Sequence, residues 1–494
     1  MKEKKNGHFF HFLISHAKTY GFVFPSSEIY GGLNAVYDYG QYGVELKNNI
    51  KEYWWKSMTQ IHENIVGLDS SVLMHSNVWK ASGHIDKFNE FLIDNKDSKK
   101  RYNPEKLIKE YVTFMQKKCS KKMSHSKKNE ILSRLDQSFK KNDFSDIRVL
   151  IDELNIYDPI CGSKNWTNIR PFNMMFKVKE EKGDLFLRPE TAQGIFSNFL
   201  NIKKSNRMKI PFGIAQIGKS FRNEMIARQF IFRMREFEQM EMQFFILPKE
   251  EMKWYEYWKK IRLKWHLELN LGNEKYKLRD HENKLAHYAS IGSDIEFHFP
   301  FGFREMEGIH SRRDFDLKNH EIFSKKKLRI FCEKNKLESY IPYVIETSLG
   351  LDRLFLAIFS SSLKKEKLKN GNQRIVLKIP PYLSPIKAAI FPLVQKDGLP
   401  EIAKKIFNDL KIDYRLIYDQ KKSIGKLYRR QDAIGTPLCF TIDHDTLKSN
   451  TVTMRYRDTM LQKRVHINNI SKMIENETGL KNILIKLSKQ SINQ

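Results

Sequence analysis

In two stretches, 215–224 and 237–246, side-chain character alternates with the two-residue period of a β-strand. Along the second, Phe237, Gln239, Glu241 and Gln243 share one face, and Met240, Met242, Phe244 and Ile246 share the other. Along the first, Gln216, Ser220, Arg222 and Glu224 oppose Ala215, Ile217 and Phe221. The pattern predicts an antiparallel hairpin turning around 225–229, where Arg228 lies. One face is oily and suits a core. The other is polar and rich in arginine, and suits a ligand.

The chemistry of that second face narrows the ligand. Arg222, Arg233 and Arg235 carry planar, forked donors that match phosphate oxygens. Phe237 offers a flat apolar plate for a base. Glu224 and Glu241 are poor neighbours for phosphate unless a cation or an amine lies between. A nucleoside triphosphate with magnesium, beside a small ammonium-bearing molecule, satisfies all of them; ordinary surface ion pairs are the alternative reading.

At 494 residues the chain can hold two or three domains with substantial cores. A formal charge of +29 favours polyanionic partners, nucleic acid first, although lysines on solvated faces account for part of it. Cys119, Cys161, Cys332 and Cys439 are scattered singly, which argues against zinc ribbons and disulfide frameworks and fits a reducing cytosol. The apolar stretch 9–14 is too short for a secretion signal, and no run approaches the ~18 apolar residues of a membrane span. A soluble protein is expected.

Further along, 44–55 reads as a helix through Leu46, Ile50, Tyr53 and Trp54. Lysine clusters punctuate a helical insertion over about 94–150. Mixed strands and turns are expected over 165–199, a helix over 250–267, strands at 295–299 and 343–347, and a helix over 351–359. The polar, Lys-rich stretch 360–372 reads as a linker. Beyond it, strands at 387–394, 413–418, 438–443 and 451–457 alternate with helices at 400–410 and 423–433, the rhythm of a separate α/β domain. The expected division is a domain over 1–370 and a smaller one over 371–494.

Phe221-Arg-Asn-Glu224 followed by Arg233 and Phe237 resembles motif 2 of class II aminoacyl-tRNA synthetases, and Gly350-Leu-Asp-Arg353 resembles motif 3. Four ordered segments (21–33, 187–194, 235–241 and 423–432) are similar to the dimeric glycyl-tRNA synthetases. The resemblance implies an α+β catalytic domain built on an antiparallel sheet flanked by helices, then an α/β anticodon-binding domain. It implies a cytoplasmic homodimer that joins glycine to tRNA(Gly) with ATP and Mg2+, with no zinc and no membrane partner.

The resemblance also implies residue roles. Arg222 and Arg353 would be catalytic. ATP would be held by Arg222, Asn223, Glu224, Phe232, Arg233, Met234, Arg235, Glu236, Phe237, Glu305, Met306, Gly350, Leu351, Asp352 and Arg353, with Glu305 as magnesium ligand. Glycine would lie among Glu190, Phe237, Glu238, Gln239, Met240, Glu241, Glu346, Thr347, Ser348, Leu349 and Gly350. Lys426, Arg429 and Arg430 would meet tRNA. Ser76 stands where the family usually has proline, Asn103 where it has arginine, and Thr347 where it has proline. Two rivals stay open: a sister class II enzyme charging proline, threonine or histidine, and a non-catalytic synthetase-like RNA-binding protein.

Overall fold

The computed structural model describes residues 2–118, 124–141, 143–180, 183–224, 229–281, 288–331, 339–368 and 371–492. Arg228, Cys119 and Cys332 lie outside these. The chain forms two compact units, one of Met1–Val72, Glu190–Ser220 and Gln229–Gln494, the other of Leu73–Pro189 and Phe221–Arg228.

In the first unit, α1 (Lys2–Thr19) and α2 (Gln41–Thr59) precede β1 (Ile65–Gly67) and α3 (Ala192–Ser205). Then come β2 (Phe212–Phe221), β3 (Glu236–Ile246), α4 (Glu251–Leu267), β4 (Tyr276–Asp280), β5 (Ile291–Phe299) and β6 (Gly302–Arg313). α5 (Phe315–Ser324), β7 (Tyr343–Gly350) and α6 (Leu351–Ser362) follow. The seven strands make one sheet in the order β4-β5-β6-β7-β3-β2-β1. The chain from β4 through β7 to β3 pairs antiparallel, and β1 lies parallel to β2.

Alternation along β3 does what the sequence requires. Met240, Met242, Phe244 and Ile246 share one core with Ile50 and Trp54 of α2, Trp258 of α4 and Leu354 and Phe355 of α6. Leu46, Ile50, Tyr53 and Trp54 are all fully buried, as a helix apolar at i, i+4, i+7 and i+8 demands. On the opposite face, Phe212, Phe245 and Val344 pack under Phe196 and Phe199 of α3 and Leu317 of α5. That second core closes one end of the polar face. It also corrects the expectation of strands and turns through 199, because Ala192, Ile195, Phe196 and Phe199 carry helical spacing and are fully buried.

The stretch 360–372 is no simple linker. Leu363–Lys367 pairs antiparallel with Gln373–Leu377, lysine heads reaching water while the backbones pair. Arg374 turns inward to Asp432 (3.0 Å) and the Arg457 carbonyl (2.9 Å). The C-terminal sheet comprises β8 (Ala388–Pro392), β9 (Leu416–Tyr418), β10 (Leu438–Ile442), β11 (Thr451–Tyr456) and β12 (Gln462–His466), ordered β9-β8-β10-β11-β12. Two of its helices, α7 (Leu399–Leu410) and α8 (Ile424–Ile434), fall where the alternating rhythm places them. The strand β12 is an addition, an exposed edge strand with no apolar face to announce it.

The second unit has its own core. Ile108, Val112, Leu135, Ile147, Ile151 and Trp166 join the helices Pro104–Lys118, His125–Lys141 and Phe144–Glu153. Asn103 accepts the Lys106 amide at 3.0 Å, a helix N-cap, while Arg101 pairs with Asp94 at 2.7 Å. Cys161 and Cys439 are free thiols. Among the described residues no helix is long and apolar enough to cross a membrane.

One buried ion pair ties α4 to the sheet. Glu307 of β6 accepts Arg262 Nε and meets His266 Nε2, both at 2.6 Å, with none of the three side chains more than 1% exposed. Burial alone would raise the Glu307 carboxyl, but Arg262 and then His266 outweigh it and hold it at about 2. A carboxyl below its unfolded value of ~4.3 contributes stability that is complete above that pH and lost as pH falls toward 2. Glu307→Gln is expected to cost ~3 kcal/mol at neutral pH. The thermal midpoint of this variant should also fall less between pH 5 and 2 than that of wild type; parallel curves would refute the assignment.

Candidate functional site

Cross-strand partners share a face, so register decides which polar groups meet. Glu241 of β3 stands opposite Ser348 of β7, which stands opposite Gly308 of β6. One step along, Gln243, Glu346 and His310 form the next row. The polar face foreseen for β3 therefore continues across β7 and β6.

Three carboxylates converge there. Glu241 accepts from Ser348 (2.6 Å), Gln239 (2.9 Å) and Thr191, while Gln239 itself accepts from Ser220 at 2.7 Å. Glu346 accepts from Gln243 (2.8 Å) and Arg312 (2.9 Å). Glu190 accepts from Gln193 at 2.9 Å and lies 3.8 Å from Arg312. Arg312 also grips Asp316 through two bonds of 2.7 and 2.9 Å and lies 3.7 Å over the Tyr288 ring.

Electrostatics divides these acids. Burial pushes the Glu241 carboxyl up to about 7, reinforced by the charges of Glu346 and Glu190. At Glu346 burial acts in the same direction but loses to Arg312 and His310, which hold that carboxyl low. Carboxylates gathered this closely offer the kind of site that holds a small ammonium. Gln193 lies in the segment 187–194, but Arg312, Tyr288 and Asp316 were not singled out from sequence; their local signal is the i, i+4 spacing of Arg312 and Asp316.

A second group gathers at the start of α6. The Arg353 guanidinium lies 4.5 Å over Phe232, 3.0 Å from the Glu305 carbonyl and 3.3 Å from its carboxylate. Arg353 and Glu305 are 28% and 50% exposed, so both are open to a solute. Arg233 is exposed, and Arg235, Glu236 and Phe237 are half-buried. Glu305 stands opposite Glu296 on β5. Glu296 accepts Arg279 at 3.3 Å, and its carboxylate and that of Glu305 are oxygen donors of the kind a hard cation such as magnesium takes.

Other nominated positions have structural partners. Asp352 accepts from Tyr39 (2.5 Å), Lys47 (3.1 Å) and the Glu238 amide (2.8 Å), and Glu238 pairs with Lys47 and Lys51 at 2.5 Å each. These contacts fasten α2 to β3 and α6. Met234, Met240, Met306, Leu349 and Leu351 are buried in the main core. Thr347 is buried opposite Met242 on the same side of the sheet. At these positions only the main chain can face a ligand. Gly350 caps α6.

Arg222, Asn223 and Glu224 belong to the second unit. There Arg222 Nε donates to the Pro189 carbonyl at 3.0 Å and its guanidinium lies 5.4 Å from the Phe88 ring; the Asn223 amide donates to Met174 at 2.7 Å. In the C-terminal part, Lys426, Arg429 and Arg430 are exposed on one face of α8, at i, i+3 and i+4.

Residues 176–362 match the family model described as "tRNA synthetase class II core domain (G, H, P, S and T)". Residues 387–477 match "Anticodon binding domain" and 122–174 match "Glycyl-tRNA synthetase insertion domain 1". A glycine–tRNA ligase of Chlorobaculum tepidum is 46% identical over 94% of this chain and 98% of its own length. The chain belongs to the glycine–tRNA ligase family. Relatives of the same name from Macrococcus caseolyticus (46%) and Borrelia hermsii (45%) also cover 94% of it. A crystal structure described as the RNA-binding domain of a threonyl-tRNA synthetase from Cryptosporidium parvum Iowa II matches with TM-score 0.61 at 14% identity, covering 94% of this chain and 97% of that one. It shares the fold. In this family member the helical insertion foreseen at 94–150 overlaps the matched insertion domain and begins earlier than it.

Proposed function

We propose that this protein is a glycine–tRNA ligase that works as a cytoplasmic homodimer. A carboxylate oxygen of glycine attacks the α-phosphorus of ATP, forming a P–O bond as the bond to pyrophosphate breaks. The terminal ribose hydroxyl of tRNA(Gly) then attacks the glycyl carbonyl, and AMP leaves. No protein nucleophile takes part. The rate comes from in-line positioning and from cationic groups where charge develops.

The observation that carries this reading is the convergence of Glu190, Glu241 and Glu346 about Arg312. The glycine ammonium lies among the three carboxylates, with Ser348 and Gln239 fixing Glu241. Glycine has no side chain to recognise, so selection acts by holding the ammonium and leaving no room for a β-carbon. Arg222 holds the α-phosphate, an assignment resting on its motif. Arg233 and Arg353 grip the outer phosphates, Glu224 faces the adenine amino group, and Phe237 stacks on the base. Glu305, with Glu296 opposite it, would hold magnesium, which would supply charge neutralisation. Lys426, Arg429 and Arg430 meet the phosphates of the tRNA anticodon arm.

ATP–pyrophosphate exchange tests the reading, run with glycine and separately with alanine, serine, threonine, proline and histidine. Glycine alone should support exchange, and tRNA(Gly) should then become glycylated. Equal exchange with threonine or proline, or tRNA binding without any exchange, would overturn it.

A further inference from the structure

On the polar face that carries Glu346 lies a cluster to which the proposed reaction assigns no substrate contact. His281 follows β4, Asp294 sits on β5 and His310 on β6. The His281 amide bonds to the Gly292 carbonyl at 2.9 Å, and Gly292 stands opposite His310. Asp294 lies two residues further along β5, so all three side chains emerge on one face of three neighbouring strands. One ligand atom from each lies within 4.8 Å of the others. His281 Nε2 is already 2.8 Å from Asp294 Oδ2, and the two imidazole rings are 5.9 Å apart.

We propose that His281, Asp294 and His310 form a binding site for a divalent first-row transition-metal ion, zinc by the character of its donors. Two imidazoles and one carboxylate are a zinc-type set, with Zn–N and Zn–O distances of ~2.0–2.2 Å and a position left for water. Ligand atoms on a tetrahedral ion stand roughly 3.3 Å apart. His281 and Asp294, at 2.8 Å, would therefore open slightly, and His310 would close by at most about 1.5 Å.

Two features outside the trio favour the ion. His310 Nδ1 is shielded from solvent and faces Glu346 Oε2 at 3.6 Å, the carboxylate–histidine pairing that orients a metal-bound imidazole through its other nitrogen. Gly308 supplies the space: a β-carbon there would stand 2.7 Å from His310 Cε1 and 3.8 Å from Asp294 Oδ1. The side chains of His281, Asp294 and His310 are 21, 15 and 13% exposed, so the site is sheltered yet reachable. A bound ion would tie the edge strand β4 to β6 and, through His310, reach Glu346. This site differs from the magnesium position at Glu305 in its nitrogen donors, and its occupancy does not depend on the reaction proposed above.

The test uses the full-length protein stripped with a chelator and titrated with Co2+, read by its visible d–d absorption, then with Zn2+ as competitor. One equivalent of Co2+ should bind with the intense visible band of a four- or five-coordinate ion and without the near-ultraviolet sulfur band that Cys161 would produce. Zn2+ should displace it, and millimolar Mg2+ should not. His310→Ala and the isosteric Asp294→Asn should each weaken binding by at least ~10-fold, with thermal midpoints in metal-free buffer showing that both still fold. Zn2+ should raise the midpoint of wild type and not of His310→Ala. No saturable Co2+ binding, displacement by Mg2+, or unchanged affinity in both variants would overturn the site.

Discussion

Arg312→Met is expected to lose ~3–5 kcal/mol of stability and to raise the glycine KM by ~10²–10³-fold while moving the ATP KM little. The guanidinium is 1% exposed and balances Asp316, Glu346 and Glu190 at once. Removing it takes away the cation that those buried acids share. Glu346 then loses the larger of the charges that hold its carboxyl low, His310 being the other. A protonated Glu346 no longer attracts an ammonium, so glycine binding weakens by the same change that weakens the fold. Arg312→Lys separates the two effects. Lysine keeps the charge but lacks the planar fork that spans Asp316 and Glu346, and it stacks less well on Tyr288. It should restore most of the stability and only part of the glycine affinity. A folded Arg312→Lys enzyme with the wild-type glycine KM would remove the guanidinium from substrate binding.

The difference between Arg312 and Glu241 shows what was legible before the structure. Glu241 lies in a run whose two faces differ in polarity at every step, so its direction follows from local sequence. The helix α2 and the strand–helix rhythm after residue 387 were legible for the same reason: burial imposes a period on neighbours. Arg312 lies in a stretch without that contrast. It meets Glu346 because β6 and β7 pair in one particular register, and Glu190 because α3 packs on the sheet. Both are long-range facts that no single-strand pattern encodes. The hairpin at 363–377 was missed for a different reason. Its lysines reach solvent, so composition resembles a linker while the backbone pairs and Arg374 is buried. The tight grip of Lys47 on Asp352 and Glu238 likewise arises between α2 and residues far along the chain. Resemblance to a motif marked both acids as binding residues; their hydrogen bonds also fasten the strand and helix carrying the site.

Arg222→Ala is expected to reduce glycine-dependent ATP–pyrophosphate exchange by ~10²–10³-fold with the fold intact. Arg222 is half-buried, and its structural contacts include a bond to the Pro189 carbonyl and an approach to the Phe88 ring. The expected loss is instead electrostatic. As the glycine carboxylate joins the α-phosphorus, negative charge grows on its non-bridging oxygens, and a fixed guanidinium there stabilises the transition state more than the ground state. The loss should therefore appear in kcat, with smaller changes in the KM for glycine and ATP. Arg222→Lys should recover part of the rate, because charge returns without the fork. Transfer from preformed glycyl-adenylate to tRNA(Gly) should be affected far less than adenylate formation, since the α-phosphorus is then part of the departing AMP and no bond to it forms or breaks. An Arg222→Ala enzyme that exchanges at the wild-type rate would take this arginine out of the chemistry.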